Sequence, residues 1–144
     1  MTKLDELLRS SMIVADGFMG NDTRPLHEIV ASDLAVLARV GVSHRELAGR
    51  MREISNIARA GLCTWVPING SLEAMADDSR GLLVCPWPHR GRYNKTVTTV
   101  RRAGSDEIAR WSELSTHLVE AHGFFQGKGS HFRIEPDLLL DLLL

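Results

Sequence analysis

The sequence is poor in cysteine and has no long apolar run, and each shortage excludes a class of protein. Its 144 residues include only two cysteines, Cys63 and Cys85, which are too few for the disulfide framework of a small secreted domain. No uninterrupted apolar stretch approaches the ~18 residues of a membrane-spanning helix. The first residues also lack the basic-then-apolar order of a secretion signal. We therefore expect a cytoplasmic protein with reduced thiols and no membrane partner.

The overall composition is that of an ordinary globular domain. Hydrophobic residues make up 44% of the chain and charged residues 24%. A chain of this length buries about 70% of its unfolded surface, so it needs neither disulfides nor a metal for stability. Since no repeat, low-complexity segment or linker divides it, we predict a single α+β domain over residues 1–144.

Helical periodicity dominates residues 1–61. A first helix is predicted near residues 4–12. A second follows a cap at Asp22 or Thr23, with Pro25 in its first turn. A capping box of Ser43 and Glu46 opens a third helix, which Gly61 ends.

Residues 62–111 change to the pattern of a β-meander. Strands are predicted near residues 62–66, 72–76, 82–85, 93–102 and 107–111. In residues 112–144 we predict a helix capped by Ser112 and ended by Gly123, then a glycine-rich loop, a strand-like segment at 132–134 and a leucine-rich helix entered at Pro136. The predicted fold is three N-terminal helices on one face of a four- or five-stranded, mostly antiparallel meander, followed by two C-terminal helices.

The tail from Leu138 to Leu144 contains no polar residue except Asp141. A segment this apolar must be covered. One alternative is that it packs on the chain's own core. The other is that the protein is structural and the tail joins a second copy in a homodimer.

Charge is segregated although the net charge is only -1. Residues 80–133 carry a net charge of +5 and the remainder carries -6, and residues 80–105 contain six Lys or Arg and no acid. Such a segment attracts anions if its side chains share a surface. The alternative is that the acidic helices pack beside the basic segment and neutralise it.

The charge pattern favours the binding of an anionic, phosphate-bearing ligand such as a nucleotide or nucleic acid. Trp87 lies among cations and offers a stacking face, and the Gly-Lys-Gly-Ser sequence at 127–130 can turn its backbone N–H groups toward an anion. The alternative for this loop is a flexible turn with solvated charges. The predicted ligand-binding residues are Trp87, His89, Arg90, Arg92, Lys95, Gly127, Lys128, Gly129, Ser130 and Arg133.

Four side chains are of the types that zinc accepts, namely Cys85, His89, His117 and His122. The spacing argues against a metal site, because a five-residue step places His117 and His122 about 140° apart around a regular helix. Helical zinc pairs use steps of three or four. We therefore interpret His122 as a partly buried histidine near a helix end, and keep zinc as an alternative.

A metal-assisted hydrolase or lyase is the enzymatic alternative. Its candidate catalytic residues are Cys85, His89 and His117, with Glu113 as the proton carrier. Cys85 as a covalent nucleophile has less support, because no third residue is found to orient it.

Residues 37–47 resemble a helix-turn-helix, with a turn at Gly41 and a serine-capped second helix. The resemblance implies that Arg45, Arg50, Arg52 and Arg59 face a DNA major groove. Antiparallel helices joined by a short capped turn also occur in many proteins that do not bind DNA.

Overall fold

The computed structural model describes residues 3–10, 17–79 and 81–144. The predicted end of the first helix at residues 11–12 lies outside these residues, and so does Arg80 of the basic segment. In the described ranges, no helix has the length and apolarity required to cross a membrane.

Within the part of the chain that the structure describes, five helices form where the sequence periodicity places them. They are α1 (Lys3–Arg9), α2 (Leu26–Arg39), α3 (His44–Arg59), α4 (Glu113–His122) and α5 (Pro136–Leu143). Both serine caps are confirmed: Ser43 closes a capping box with Glu46, and Ser112 does so with Ser115. Helix α2 differs, since Pro25 is its N-cap residue and no side chain caps it.

The strands form two antiparallel sheets. The larger has the order β1-β2-β5-β6, from β1 (Val66–Asn69), β2 (Leu72–Asp77), β5 (Val97–Arg102) and β6 (Ile108–Ser112). A hairpin of β3 (Leu82–Val84) and β4 (Arg92–Asn94) is inserted between β2 and β5 and forms its own two-stranded sheet. The α+β fold with two C-terminal helices is therefore confirmed.

Three strand boundaries differ from the expected ones. The first strand begins at Val66, because Leu62 and Cys63 adopt positive φ angles of 50° and 65° that extended backbone cannot contain. The expected strand at 93–102 is two strands, β4 and β5, which belong to different sheets. Residues 132–134 form no strand.

Two groups of buried side chains hold the molecule together. In the larger, α3 packs against the inward residues Leu72, Ala74 and Ala76 of β2 and against Trp111 of β6. The apolar tail completes this core with Leu139, Leu142 and Leu143, so it is covered by its own chain. The smaller group packs Cys85, next to β3, against Leu114 and Leu118 of α4.

Candidate metal centre

Two elements carry the four candidate ligands. Cys85 directly follows β3, and His89 lies in the proline-rich loop that leads to β4. His117 lies in the middle of α4, whereas His122 is its last residue, followed by Gly123 at a left-handed φ of 60°. Because Cys85 packs with Leu114 and Leu118, the loop is held against the helix. We call Cys85, His89, His117 and His122 the Cys-His cluster.

The ligand atoms of the Cys-His cluster all lie within 4.8 Å of one another. His89 Nε2 is 3.2 Å from His117 Nε2 and 3.3 Å from His122 Nε2. The thiol Sγ of Cys85 is 3.4 Å from His122 Nε2. The five-residue step therefore does not keep His117 and His122 apart, because their long side chains lean toward the same loop.

The three separations of 3.2, 3.3 and 3.4 Å are close to those of a tetrahedral zinc site. With Zn–N bonds of about 2.05 Å and a Zn–S bond of about 2.3 Å, tetrahedral ligands lie about 3.3 Å apart for two nitrogens and about 3.6 Å for sulfur and nitrogen. Hydrogen bonding alone explains the cluster less well, because each neutral imidazole has a single N–H and His89 Nε2 contacts two histidines.

Two of the imidazoles make a second polar contact that directs Nε2 into the cluster. His89 Nδ1 lies 2.9 Å from the Arg90 carbonyl oxygen, and since a carbonyl only accepts, Nδ1 carries the proton and Nε2 presents a lone pair. His117 Nδ1 lies 3.0 Å from the Tyr93 hydroxyl oxygen, which can accept an Nδ1–H in the same way. Metal-bound histidines commonly have such outer partners.

His117 and His122 are disposed to stay neutral, which metal coordination requires. Burial, then the neighbouring His117 and His89, lower the pKa of His122 to about 4. Burial and His89 also lower the pKa of His117. Burial raises the pKa of the Cys85 thiol, against a smaller opposing effect of the Trp87 backbone. A divalent cation would supply the positive charge that this thiolate needs.

Trp87 covers the cluster from one side. Its indole stacks on the His122 ring at a centroid distance of 4.0 Å and an interplanar angle of 8°, and it touches Phe124 at 5.6 Å. One face of the Trp87 indole is therefore in contact with His122. Only the other face could stack on a ligand, as the sequence analysis predicted for Trp87.

No family model, curated protein or solved structure gives a significant match. Its function must therefore be inferred from its own geometry.

The glycine-rich loop bonds to the chain itself. The Lys128 N–H donates to the Asp22 carboxylate at 3.1 Å, and the Gly127 N–H donates to the Phe18 carbonyl at 2.8 Å. A Cβ at Gly127 would lie 2.3 Å from the Met19 carbonyl oxygen. The glycines thus allow close backbone packing, and Asp22 takes the position that an anion would need.

Two other predicted ligand-binding residues of this region also have internal partners. Arg133 forms a bidentate ion pair with Asp33, and their side chains are 7% and 5% exposed. Arg133 also pairs with Glu135 at 3.0 Å. The Ser130 hydroxyl donates to the Gln126 side chain.

The hairpin arginines are different. Arg90, Arg92 and Lys95 are exposed, and none of them has an ion pair with any residue in the described ranges. Glu113 accepts a hydrogen bond from the Asn94 N–H at 2.9 Å and lies 3.8 Å from Arg59.

The helix-turn-helix arginines are partly engaged within the chain. Arg50 donates to the Leu143 carbonyl at 3.0 Å, and Arg52 pairs with Glu120 at 2.8 Å. Arg59 donates to the Asn94 side chain at 3.2 Å. Arg50, Arg52 and Arg59 of helix α3 therefore bind neighbouring groups of the same chain.

Sequence reasoning missed two features of the site. One is the pairing of Tyr93 with His117, for which the sequence holds no local signal because the two residues are 24 positions apart. The other is a cleft beside His117, which the sequence could not indicate because residues of four separate elements build it.

Proposed function

We propose that the protein binds one zinc ion through Cys85, His89, His117 and His122. The observation that carries the proposal is the spacing of 3.2, 3.3 and 3.4 Å between ligand atoms from two distant segments. Nitrogen and sulfur donors at tetrahedral spacing favour Zn²⁺ among the divalent metals of cells.

The zinc centre has a structural role in this proposal. Four protein ligands fill a tetrahedral shell and leave no position for a reacting water, as in structural zinc sites. The ion would join the β3–β4 loop to α4, two segments otherwise connected there by side-chain packing. The closed shell thus favours a structural centre over the alternative of a metal-assisted hydrolase or lyase.

A reduced Cys85 is a condition of this proposal. Cys63 and Cys85 are both free, and Cys85 is buried. A zinc–thiolate bond persists where thiols are kept reduced, and a cytoplasmic location is therefore part of the proposal.

Cobalt substitution tests the ligand set. We expect the metal-free protein to take up one Co²⁺ per chain, with the visible bands of tetrahedral cobalt and a near-ultraviolet thiolate-to-cobalt band. Cys85→Ser should abolish the thiolate band. Cys63→Ser, which alters an exposed cysteine outside the cluster, should keep it.

His131 supplies a second control, because it is exposed and lies outside the cluster. His89→Gln should weaken cobalt binding, whereas His131→Gln should not. The proposal fails if Cys85→Ser retains the thiolate band, or if both histidine variants bind cobalt like the wild type.

We also propose, as a second candidate function, that the β3–β4 hairpin binds an anion such as single-stranded nucleic acid. The observation that favours it is the set of exposed, unpaired cations Arg90, Arg92 and Lys95, described above. A zinc ion on His89 would fix the neighbouring Arg90 and reduce the entropy lost on binding. The glycine-rich loop and Arg133 take no part in this narrower form of the interface.

Salt dependence tests the hairpin interface. We expect a fluorescent single-stranded oligonucleotide to bind with an affinity that falls steeply with salt. Removing Arg90 and Arg92 should reduce the logarithmic slope by about 0.7 per lost phosphate contact. Arg110→Ala, at an exposed position on β6, should change neither the affinity nor its dependence on salt. Absent or salt-independent binding contradicts this candidate.

A further inference from the structure

A polar cleft lies beside the Cys-His cluster and is separate from it. It has a volume of about 210 Å³ and is enclosed by α3, α4, β4 and β5. His117 and Tyr93 form the wall shared with the cluster, where the Tyr93 hydroxyl meets His117 Nδ1. The side chains that bind metal in our proposal point their Nε2 atoms to the other side of this wall.

The charged groups of the cleft are paired with one another. Arg52 binds Glu120 through both guanidinium nitrogens, at 2.8 and 2.9 Å. Arg59 lies 3.8 Å from Glu113. The four charges cancel, so a charged ligand would have to separate a guanidinium from its own carboxylate. The walls therefore favour a ligand without net charge.

Hydroxyl groups form the floor of the cleft. The Thr98 hydroxyl, on a residue that is 1% exposed, lies 2.8 Å from the Ser55 hydroxyl. The Trp111 indole N–H donates to Ser55 at 2.9 Å. Two hydroxyls share one bond, so one of their two protons has no acceptor among the described residues. A ligand oxygen at the floor would accept it.

The cleft thus offers donors and acceptors together. The floor can donate, the carboxylates of Glu113 and Glu120 can accept, and Arg52 and Arg59 can donate from the walls. A hydroxyl group both donates and accepts, and so matches such a surface better than a carbonyl or an amine. A volume of about 210 Å³ lies below the roughly 300–1,000 Å³ of sites for drug-sized ligands, so it suits a smaller molecule.

We propose that this cleft binds a small uncharged polyhydroxylated molecule, of the size class of a monosaccharide. The floor hydroxyls of Ser55 and Thr98 and the Arg52–Glu120 pair supply the recognition. The proposal stands independently of zinc binding, since none of these four residues belongs to the Cys-His cluster.

An NMR titration with D-ribose and D-glucose tests the proposal. We expect at least one sugar to cause saturable shifts of the Trp111 indole N–H and of the β5 amides. The double variant Ser55→Ala/Thr98→Val should weaken binding by about tenfold or more, because two floor hydroxyls are lost. Thr99→Val should bind like the wild type, since Thr99 points to the opposite face of the strand.

A second variant, at the rim of the cleft, keeps the proposal testable if the floor variant Ser55→Ala/Thr98→Val fails to fold. Glu120→Gln alters a partly exposed side chain and leaves Arg52 without its carboxylate. We expect weaker sugar binding and a new saturable response to acetate, which the wild type lacks. The proposal is overturned if neither sugar causes saturable shifts, if the wild type prefers acetate, or if the floor variant binds sugar unchanged. Zinc content in each variant separates this outcome from failure of the metal proposal.

Discussion

At the scale of single residues, the outer contacts of the histidines set how well they hold a metal. Tyr93 OH and the Arg90 carbonyl each hold one imidazole with its Nε2 in the cluster. The carbonyl belongs to the backbone and cannot be removed by substitution, whereas the hydroxyl can. Tyr93 is therefore the residue through which the metal affinity can be changed without altering a ligand.

We predict that Tyr93→Phe lowers zinc affinity by about 10- to 100-fold, as the loss of an outer-shell partner does in other zinc sites. The ring that stacks on His117 is retained, so the fold should be unaffected. Competition with a chromophoric chelator measures the change. Equal affinity of variant and wild type would show that the hydroxyl does not position His117.

Asp22 is the residue that fixes the glycine-rich loop. Its carboxylate accepts hydrogen bonds from Arg24 and from the Lys128 N–H. The side-chain bond from Arg24 holds the pKa of Asp22 far below its ordinary range, against the opposing effect of burial. Its stabilising effect is therefore full above the ordinary aspartate pKa of about 3.9 and is lost as the pH falls below that value.

We predict that Asp22→Asn lowers the free energy of unfolding by about 2 kcal/mol at pH 7, because hydrogen bonds to a buried charge are lost. The difference from wild type should narrow progressively as the pH falls below about 4, because the carboxylate of the unfolded chain then takes up a proton before that of the folded chain does. Urea unfolding at pH 7 and below about pH 4 measures this difference in the free energy of unfolding. Asp106→Asn, at an exposed turn position, serves as the control, and a pH-independent difference would contradict the account.

At the scale of elements, local signals were sufficient for the helices but not for the inserted hairpin. Ser43 and Ser112 mark helix starts because their caps involve only residues three positions away. The split between β4 and β5 depends on Asn94 and Thr96 instead, whose partners Glu113 and Asp78 lie 19 and 18 residues away. Such distant partners cannot be read from a strand-like pattern.

The same distinction applies to the Cys-His cluster. Its four residue types could be selected from the sequence, because zinc chemistry is specific for them. Their convergence could not, because it depends on packing of the proline-rich loop against α4 through Cys85. The spacing rule for helical pairs was no guide here, since the other two ligands come from outside the helix.

We predict that zinc removal loosens the loop between β3 and β4 selectively. Within the described ranges, the one loop backbone hydrogen bond that joins two of its own residues is from the His89 N–H to the Trp87 carbonyl. Amide hydrogen exchange in residues 85–91 should therefore accelerate when a chelator is added. Exchange in β5, which pairs with strands on both sides, should stay unchanged. Equal acceleration in both segments would indicate general unfolding instead.

At the scale of the whole molecule, charge segregation along the chain does not persist as one basic surface. Arg101 pairs with Glu73, and Arg102 pairs with Glu107 and Asp141. Arg133 is buried against Asp33. Acidic and basic segments thus neutralise each other through tertiary contacts, which a count along the sequence cannot reveal. Arg90, Arg92 and Lys95 of the hairpin are among the exposed cations that have no ion pair within the described ranges.

The helices and the fold class were accessible from the sequence, because apolar periodicity reports which faces are buried. The leucine tail illustrates this. A segment this apolar is expected to be buried, and Leu139, Leu142 and Leu143 of α5 are buried in the larger core. A homodimer through the tail therefore needs surfaces other than these three side chains.

The most direct test of the account is the zinc content of the untagged protein. It is measured by elemental mass spectrometry after purification without chelators. We predict one zinc per chain in the wild type, and less than a tenth of that in a Cys85→Ser/His117→Gln variant. A wild-type protein that remains free of zinc, even after exposure to stoichiometric Zn²⁺ under reducing conditions, would contradict the proposal that these four side chains form a metal centre.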